Sequence, residues 1–169
     1  MPNFRAGLYD WYVRRNLRAE ARHEGGGFDL AIKYRKSAFS HELFRLLRED
    51  SDAQAKNADG DIVGLDFDPF FNTQDFAESY VVGKITRKGD RFWVDVYGIW
   101  SGKKSEKPDV VPEVMLERGR SLFVSFHGEG EEGDLLSTLK DLRKERQNAL
   151  DNRPSASAQK RHPIEVKTL

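Results

Sequence analysis

Three aspartates that lie among phenylalanines are the carboxyl groups of this sequence best placed to do chemistry. Asp66, Asp68 and Asp75 alternate with four phenylalanines over residues 65–76, where no regular element is predicted. Burial among aromatic rings raises the pKa of a carboxyl group, and a raised pKa suits a general base. The stretch therefore favours a loop that its aromatic rings anchor in the open end of a sheet. A ligand or metal pocket rimmed by the three aspartates is the alternative.

The candidate site residues come from this stretch, from two tryptophans and from one histidine. The predicted ligand contacts are Trp11, Asp68, Phe70, Asn72, Asp75 and Trp93. No catalytic residue is assigned, and the candidates for acid–base chemistry are Asp66, Asp68, Asp75 and His127. His127 ends a predicted strand beside a glutamate-rich loop, where a hydrogen-bonded strand end is the favoured interpretation.

Two loops match binding motifs only in part. Residues 128–133 match GxGxxG, but three glutamates would stand where a pyrophosphate places its charge, and no second parallel strand follows. A calcium loop with Gly60 at its sixth position would begin at Ala55 and end at Asp66, without the acidic first ligand and the final Glu. We therefore predict no cofactor and no metal, with a weak, irregular Ca²⁺ site near Gly60 as the alternative left open.

Charge and composition exclude several classes of protein. Lysine plus arginine (28) equals aspartate plus glutamate (28), and this balance predicts that nucleic acid is not a partner. Arg91, Arg118 and Arg120 near predicted turns could bind an anion, but solvated charges on a sheet rim are favoured. There is no cysteine, which excludes disulfides and thiolate sites, and no apolar run is long enough to span a membrane. Without an export signal the chain as given is predicted to be cytoplasmic; if a signal has been trimmed, it is periplasmic or lipid-anchored.

The elements that must position these residues are read from hydrophobic periodicity. An amphipathic first helix carries an aromatic stripe of Phe4, Leu8, Trp11 and Tyr12 and ends at the glycines of 25–27. A second helix follows at 37–49, with Ser40 as its N-cap, and 50–61 is predicted to be a solvated loop. Four strands are predicted at 80–86, 91–101, 110–117 and 121–127, and a last helix at 134–150 with Asp134 as its N-cap.

Short hairpins between consecutive strands require antiparallel pairing. The predicted fold class is therefore α+β, with a curved antiparallel sheet of about four strands wrapped on the long N-terminal helix. The second helix and the C-terminal helix complete a single cone-like domain over residues 1–150. Residues 151–169 form a polar tail with too few apolar side chains to offset its ordering entropy, so we expect it to be disordered.

Several strings together resemble one bacterial family. They are the YDWY of 9–12, the DPFFNTQD of 68–75, the FVSFH of 123–127 and the DLLSTLKDLR of 134–143. In this order, and over about residues 4–147, they resemble the domain-of-unknown-function family 3828, many of whose members are exported or lipid-anchored. The resemblance implies a cystatin-like or nuclear-transport-factor-2-like α+β cone, and it carries over no catalytic residue.

The sequence leaves two classes of function open. The favoured one is a non-catalytic binding module whose concave sheet face and 66–75 loop hold a small apolar ligand or a protein partner, with a homodimer through the sheet as a further option. The alternative is an isomerase- or dehydratase-type enzyme with one pocket carboxylate as general base. The enzyme would need that carboxylate at the floor of an enclosed cavity. An inhibitor or immunity-type partner would instead show a large exposed aromatic patch.

Overall fold

Four helices flank an open antiparallel sheet in the part of the chain that the structure describes. The structure is a computed structural model and describes residues 7–21, 27–56, 64–71, 73, 75–128 and 133–151. The helices are α1 (Gly7–Ala21), α2 (Asp29–Tyr34), α3 (His41–Lys56) and α4 (Leu135–Asp151), and a 3₁₀ turn (Lys36–Ala38) precedes α3. The strands are β1 (Ser79–Lys88), β2 (Arg91–Trp100), β3 (Lys103–Lys104), β4 (Val111–Glu117) and β5 (Arg120–His127).

The strands follow the order β1-β2-β4-β5, and the short β3 pairs with the end of β2. All of these pairs are antiparallel, as the short connections predict. The β4–β5 hairpin turns through Arg118 and Gly119 at φ values of 50° and 76°. Positive φ at both central residues matches the turn to the right-handed twist of its strands. Register shifts in β1–β2 and β4–β5 add local bends to the sheet.

The inner face of the sheet carries the core. Val94, Val96 and Val114 are almost completely buried, whereas Trp93 and Tyr97 lie on the opposite, outer face and are half-buried. Helices α3 and α4 contact each other and β5, and α1 contacts α2 and β1. These contacts confirm the predicted α+β class, with helices at both ends of the chain packed on an antiparallel sheet.

Both predicted helix caps are present. Ser40 Oγ accepts a hydrogen bond of 3.3 Å from the Leu43 N–H at the start of α3. Asp134 Oδ1 accepts one of 3.0 Å from the Ser137 N–H at the start of α4. Burial acts to raise the pKa of Asp134, but hydrogen bonds from Ser125 and Ser137 outweigh it, so that its pKa lies below the usual value. The cap is therefore ionised at neutral pH and interacts favourably with the helix dipole.

Two boundaries of α3 and two short elements differ from the prediction. Residues 50–56, predicted to be loop, continue α3, because the Asp50 side chain is fully buried with partners from distant segments. Residues 37–40 precede α3 instead of opening it. Helix α2 was not predicted, since six residues are too few to show a helical period, and it forms by burying Leu30 and Ala31. The two residues of β3 lie between the strands predicted at 91–101 and 110–117, where no element was predicted.

Some predictions lie outside the described residues. They concern Phe4 of the aromatic stripe, the acidic loop around Gly60, Asn72, the glutamates of 129–132 and residues 152–169. No helix among the described residues is long and apolar enough to cross a membrane.

Candidate functional site

The loop of predicted site residues packs into the core through its phenylalanines. Phe70 and Phe71 have exposed fractions of 0% and 1%. The Phe70 ring lies 5.1 Å from that of Tyr12 and stacks on Phe39 at 5.4 Å, and the Phe71 ring stacks on Tyr80 at 4.4 Å. Phe70, a predicted ligand contact, is thus surrounded by aromatic side chains of α1, β5 and the segment before α3.

Asp68 holds this loop in shape. Its Oδ1 accepts a hydrogen bond from the Phe70 N–H at 2.9 Å, and its Oδ2 accepts one from the Tyr12 hydroxyl at 2.6 Å. Its own N–H donates to the Thr73 carbonyl at 3.0 Å. The side chain therefore closes an Asx turn and at the same time connects the loop to α1.

Burial raises the pKa of Asp68 to about 6, although hydrogen bonds from Tyr12 and from the backbone of Phe70 and Phe71 oppose the rise. Such a pKa suits a general base, but a base also needs a free oxygen and space for a substrate. The cavity beside the loop, lined by Phe67, Pro69, Phe126 and His127 among others, measures about 30 Å³. This is the space of about one water molecule. Asp68 is therefore placed as a structural carboxylate.

The other predicted site residues lie apart from Asp68. Asp66 and Asp75 are exposed, and Asp75 enters the turn through its backbone N–H, which donates to Thr73 Oγ1 at 3.2 Å. On the outer face, the Trp93 ring stacks on His127 at 4.7 Å. His127 Nε2 lies 3.5 Å from a carboxylate oxygen of Glu113. The structure does not gather the predicted contacts into one pocket.

Trp11 is the predicted contact that lines a large opening. This opening is a cleft of about 740 Å³, here called the arginine cleft, and it is lined by Trp11, Arg14, Arg15, Arg18 and Tyr34. Helix α1 supplies four of these residues and the end of α2 supplies Tyr34. The buried Asn16 fixes the two helices, because its amide donates to the Tyr12 carbonyl at 3.1 Å and its Oδ1 accepts from the Gly27 N–H at 2.7 Å.

Cations cover the aromatic rings of this cleft. The Arg35 guanidinium lies 4.6 Å from the centroid of the Trp11 ring, and the Arg15 guanidinium lies 5.1 Å from that of Tyr34. Lys33 Nζ lies 5.2 Å from the Tyr34 ring, and the two rings meet edge to face at 6.5 Å. A guanidinium that lies parallel to a ring keeps its N–H groups directed outward in its own plane, where a carboxylate or phosphate can bind two of them.

The described charged side chains that line the arginine cleft are all positive. No aspartate or glutamate among the described side chains lines it, and Arg14, Arg15, Arg18 and Arg35 form no ion pair with a described carboxylate. The Nε of Arg15 is buried and has no hydrogen-bond partner among the described residues.

A sequence signal for most of this cleft exists. Trp11, Arg14, Arg15 and Arg18 have the spacing i, i+3, i+4, i+7, which places them on one face of a helix. The aromatic stripe predicted for the first helix contains Trp11 but none of these arginines, so the cleft was not predicted. Tyr34 and Arg35 had no such signal, because they belong to α2 and its end.

Among the described residues, no group of three or more His, Asp or Glu side chains is placed to hold a metal ion.

Comparison of the whole chain with family models, with curated proteins and with solved structures finds no match.

Proposed function

We propose that this chain is a binding module for a small ligand that combines an anionic group with a planar ring, held in the arginine cleft. The observation that carries the proposal is the concentration of Arg14, Arg15, Arg18 and Arg35 around two aromatic rings, with no described carboxylate in the lining. The cleft volume of about 740 Å³ falls within the ~300–1,000 Å³ of typical ligand pockets.

The ring and the charge of the ligand would use different parts of the cleft. The Tyr34 side chain is 49% exposed, so a planar group can lie against its ring or against the guanidinium of Arg15. The anionic group would accept hydrogen bonds from the arginines of α1, which form a row along the cleft. Each contribution alone is modest at a half-exposed site, so that affinity requires both.

This proposal keeps the class of function expected from the sequence and changes its site and ligand. The concave sheet face is filled by core side chains such as Val94 and Val96, and Phe70 is buried, which argues for a site elsewhere. The enzyme alternative would use Asp68, whose two oxygens are engaged by Tyr12 and Phe70. Membership of family 3828 stays part of the proposal, supported by the strings quoted above and by the α+β fold.

Calorimetric titration at low salt with three probes tests the proposal. Adenosine monophosphate carries both a ring and an anion, adenosine carries only the ring, and inorganic phosphate carries only the anion. We expect the monophosphate to bind about tenfold or more tightly than either of the other probes. Arg18→Gln should weaken the monophosphate and phosphate, and Tyr34→Leu should weaken the monophosphate and adenosine.

Arg48→Gln is the matched control, because Arg48 is an exposed helical arginine on α3, 3.9 Å from Asp52. It should leave all three affinities unchanged. Equal affinities for adenosine monophosphate and phosphate, or equal effects of Arg18→Gln and Arg48→Gln, would refute the assignment of the cleft.

A further inference from the structure

A second opening, which Tyr34 also lines, is built differently. It is a groove of about 460 Å³, here called the Phe44 groove, lined by Lys33, Tyr34, Lys36, Ser37, Phe39, His41, Phe44, Glu117, Arg120 and Leu122. From it we infer a docking surface: the Phe44 groove binds an acidic segment of a partner protein that inserts one apolar side chain.

The floor of the groove is apolar and held in place. Phe39 and Leu122 are 4% and 7% exposed, and Phe44 is half-buried and packs against the core. A backbone hydrogen bond joins the segment before α3 to β5, because the Ser40 N–H donates to the Phe123 carbonyl at 2.8 Å. A floor tied to β5 in this way is formed before a partner arrives, and this lowers the ordering cost of binding.

The rim of the groove is basic. Three cations, Lys33, Lys36 and Arg120, line the groove together with one described carboxylate, that of Glu117. The three cations form no ion pair with a described acidic residue. The ammonium of Lys36 lies 5.1 Å from the Phe44 ring, so positive charge reaches the edge of the apolar floor. A segment that places acidic side chains on either side of an apolar one complements this pattern in both charge and polarity.

The same features favour a protein segment over a nucleic acid. Single-stranded nucleic acids bind exposed ring faces on which successive bases stack. Tyr34 is an exposed ring of the lining, but the rings of Phe39 and Phe44 belong to the core or pack against it. The described lining therefore offers the floor of a pocket for a side chain and no series of exposed ring faces. The chain as a whole carries no excess of positive charge with which to follow a phosphate backbone.

Fluorescence polarisation with a labelled synthetic peptide tests the inference. The probe is a twelve-residue peptide of Glu and Ser with one central Leu, and a second peptide has Ala in place of that Leu. We expect the Leu peptide to bind about tenfold more tightly than the Ala peptide. The double variant K36E/R120E should lose about tenfold or more in affinity for the Leu peptide, because both changed side chains are exposed cations of the rim.

R87E/K88E is the matched control, since Arg87 and Lys88 are exposed cations at the β1–β2 hairpin and outside the groove. It should change the affinity by less than about twofold. Circular dichroism of both variants verifies that the fold is intact. The inference would be overturned if the Leu and Ala peptides bound equally, or if the two double variants lost the same affinity. It would also be overturned if an oligothymidylate bound more tightly than the Leu peptide and K36E/R120E abolished that binding. No binding of the Leu peptide up to about 1 mM would overturn it as well. Neither double variant alters a lining residue of the arginine cleft, so this result and the nucleotide titration are separable.

Discussion

The Tyr12 hydroxyl and the Asp68 carboxylate, 56 residues apart in sequence, share a hydrogen bond of 2.6 Å that joins α1 to the loop of Phe70 and Phe71. Burial and the neighbouring charge of Asp68 raise the pKa of Tyr12, so its hydroxyl remains a donor at every physiological pH. A hydrogen bond to an ionised acceptor in a buried setting is stronger than one between neutral groups. This contact therefore positions the helix that carries the arginine cleft.

Removing the hydroxyl of Tyr12 should measurably destabilise the protein. Tyr12→Phe keeps the ring among Phe70, Phe71 and Phe76 but leaves Asp68 Oδ2 without its donor. We expect the free energy of unfolding in urea at neutral pH to fall by about 1.5–3 kcal/mol. Tyr97→Phe, at a half-buried position on the outer face, should cost less than about 0.5 kcal/mol. A loss in Tyr12→Phe no larger than in this control would contradict the role given to the hydrogen bond.

The raised pKa of Asp68 predicts a pH dependence of a definite sign. Its pKa is about 6 in the folded chain against 3.8 for an ordinary aspartate, so between these values the folded state binds more protons than the unfolded state. The contribution of Asp68 to stability is therefore complete below about pH 4 and is lost as the pH rises through about 6. As the pH rises from about 4 to above 6, the free energy of unfolding of the wild type should fall relative to that of Asp68→Asn, by up to about 3 kcal/mol.

This comparison is made by urea denaturation of both proteins at several pH values. Asp75→Asn changes an exposed position of the same loop and controls for the substitution itself. A difference between wild type and Asp68→Asn that stays constant with pH, or that grows as the pH rises, would show that Asp68 is not a buried carboxylate of raised pKa.

The ion pair between α3 and α4 should contribute far more than its exposed neighbour. Asp50 is fully buried and accepts hydrogen bonds from Arg146 at 2.6 Å, Gln54 at 2.9 Å and the Leu65 N–H at 3.0 Å. Arg146→Met leaves a buried charge without its main partner, and we expect thermal or urea unfolding to show a loss of about 3–5 kcal/mol. Adding Asp50→Asn should recover part of the loss, because it removes that charge.

Arg143→Met is the matched control one turn earlier on α4. Arg143 lies 3.3 Å from Glu49, and both side chains are more than a third exposed. Such a pair contributes at most about 1 kcal/mol. Similar losses in Arg146→Met and Arg143→Met would mean that Asp50 is not sealed from water.

Gly64 should tolerate no side chain, because it lies against the Asp50 cluster. A Cβ at Gly64 would stand 2.6 Å from both Asp50 Oδ2 and Gln54 Nε2. Gly64→Ala should therefore lower the free energy of unfolding by about 1–3 kcal/mol. At Gly133 the nearest atom to such a Cβ is that of Ser137, at 3.9 Å. There the same substitution should be neutral or stabilise by about 0.4–1 kcal/mol, and equal losses at the two positions would be inconsistent with the packing described.

The sequence by itself determined the features that depend on near neighbours. The antiparallel hairpins follow from short connections, and the turn at Arg118 and Gly119 lies where it was predicted. The caps at Ser40 and Asp134 follow from side chains that reach backbone N–H groups three residues ahead. Periodicity, turn chemistry and capping all act within a few residues, and for this reason a single sequence was sufficient to predict the α+β class.

Only the tertiary structure decided which polar residues would be structural and which would remain available. It extended α3 by giving Asp50 a partner 96 residues away, and it used Asp68 to anchor Tyr12, so that the most conspicuous carboxylate of the sequence became part of the scaffold. It also brought the arginines of α1 beside Tyr34, although the net charge of the chain is zero. Net charge is an average over the chain, whereas burial and the local field depend on which distant segments pack together.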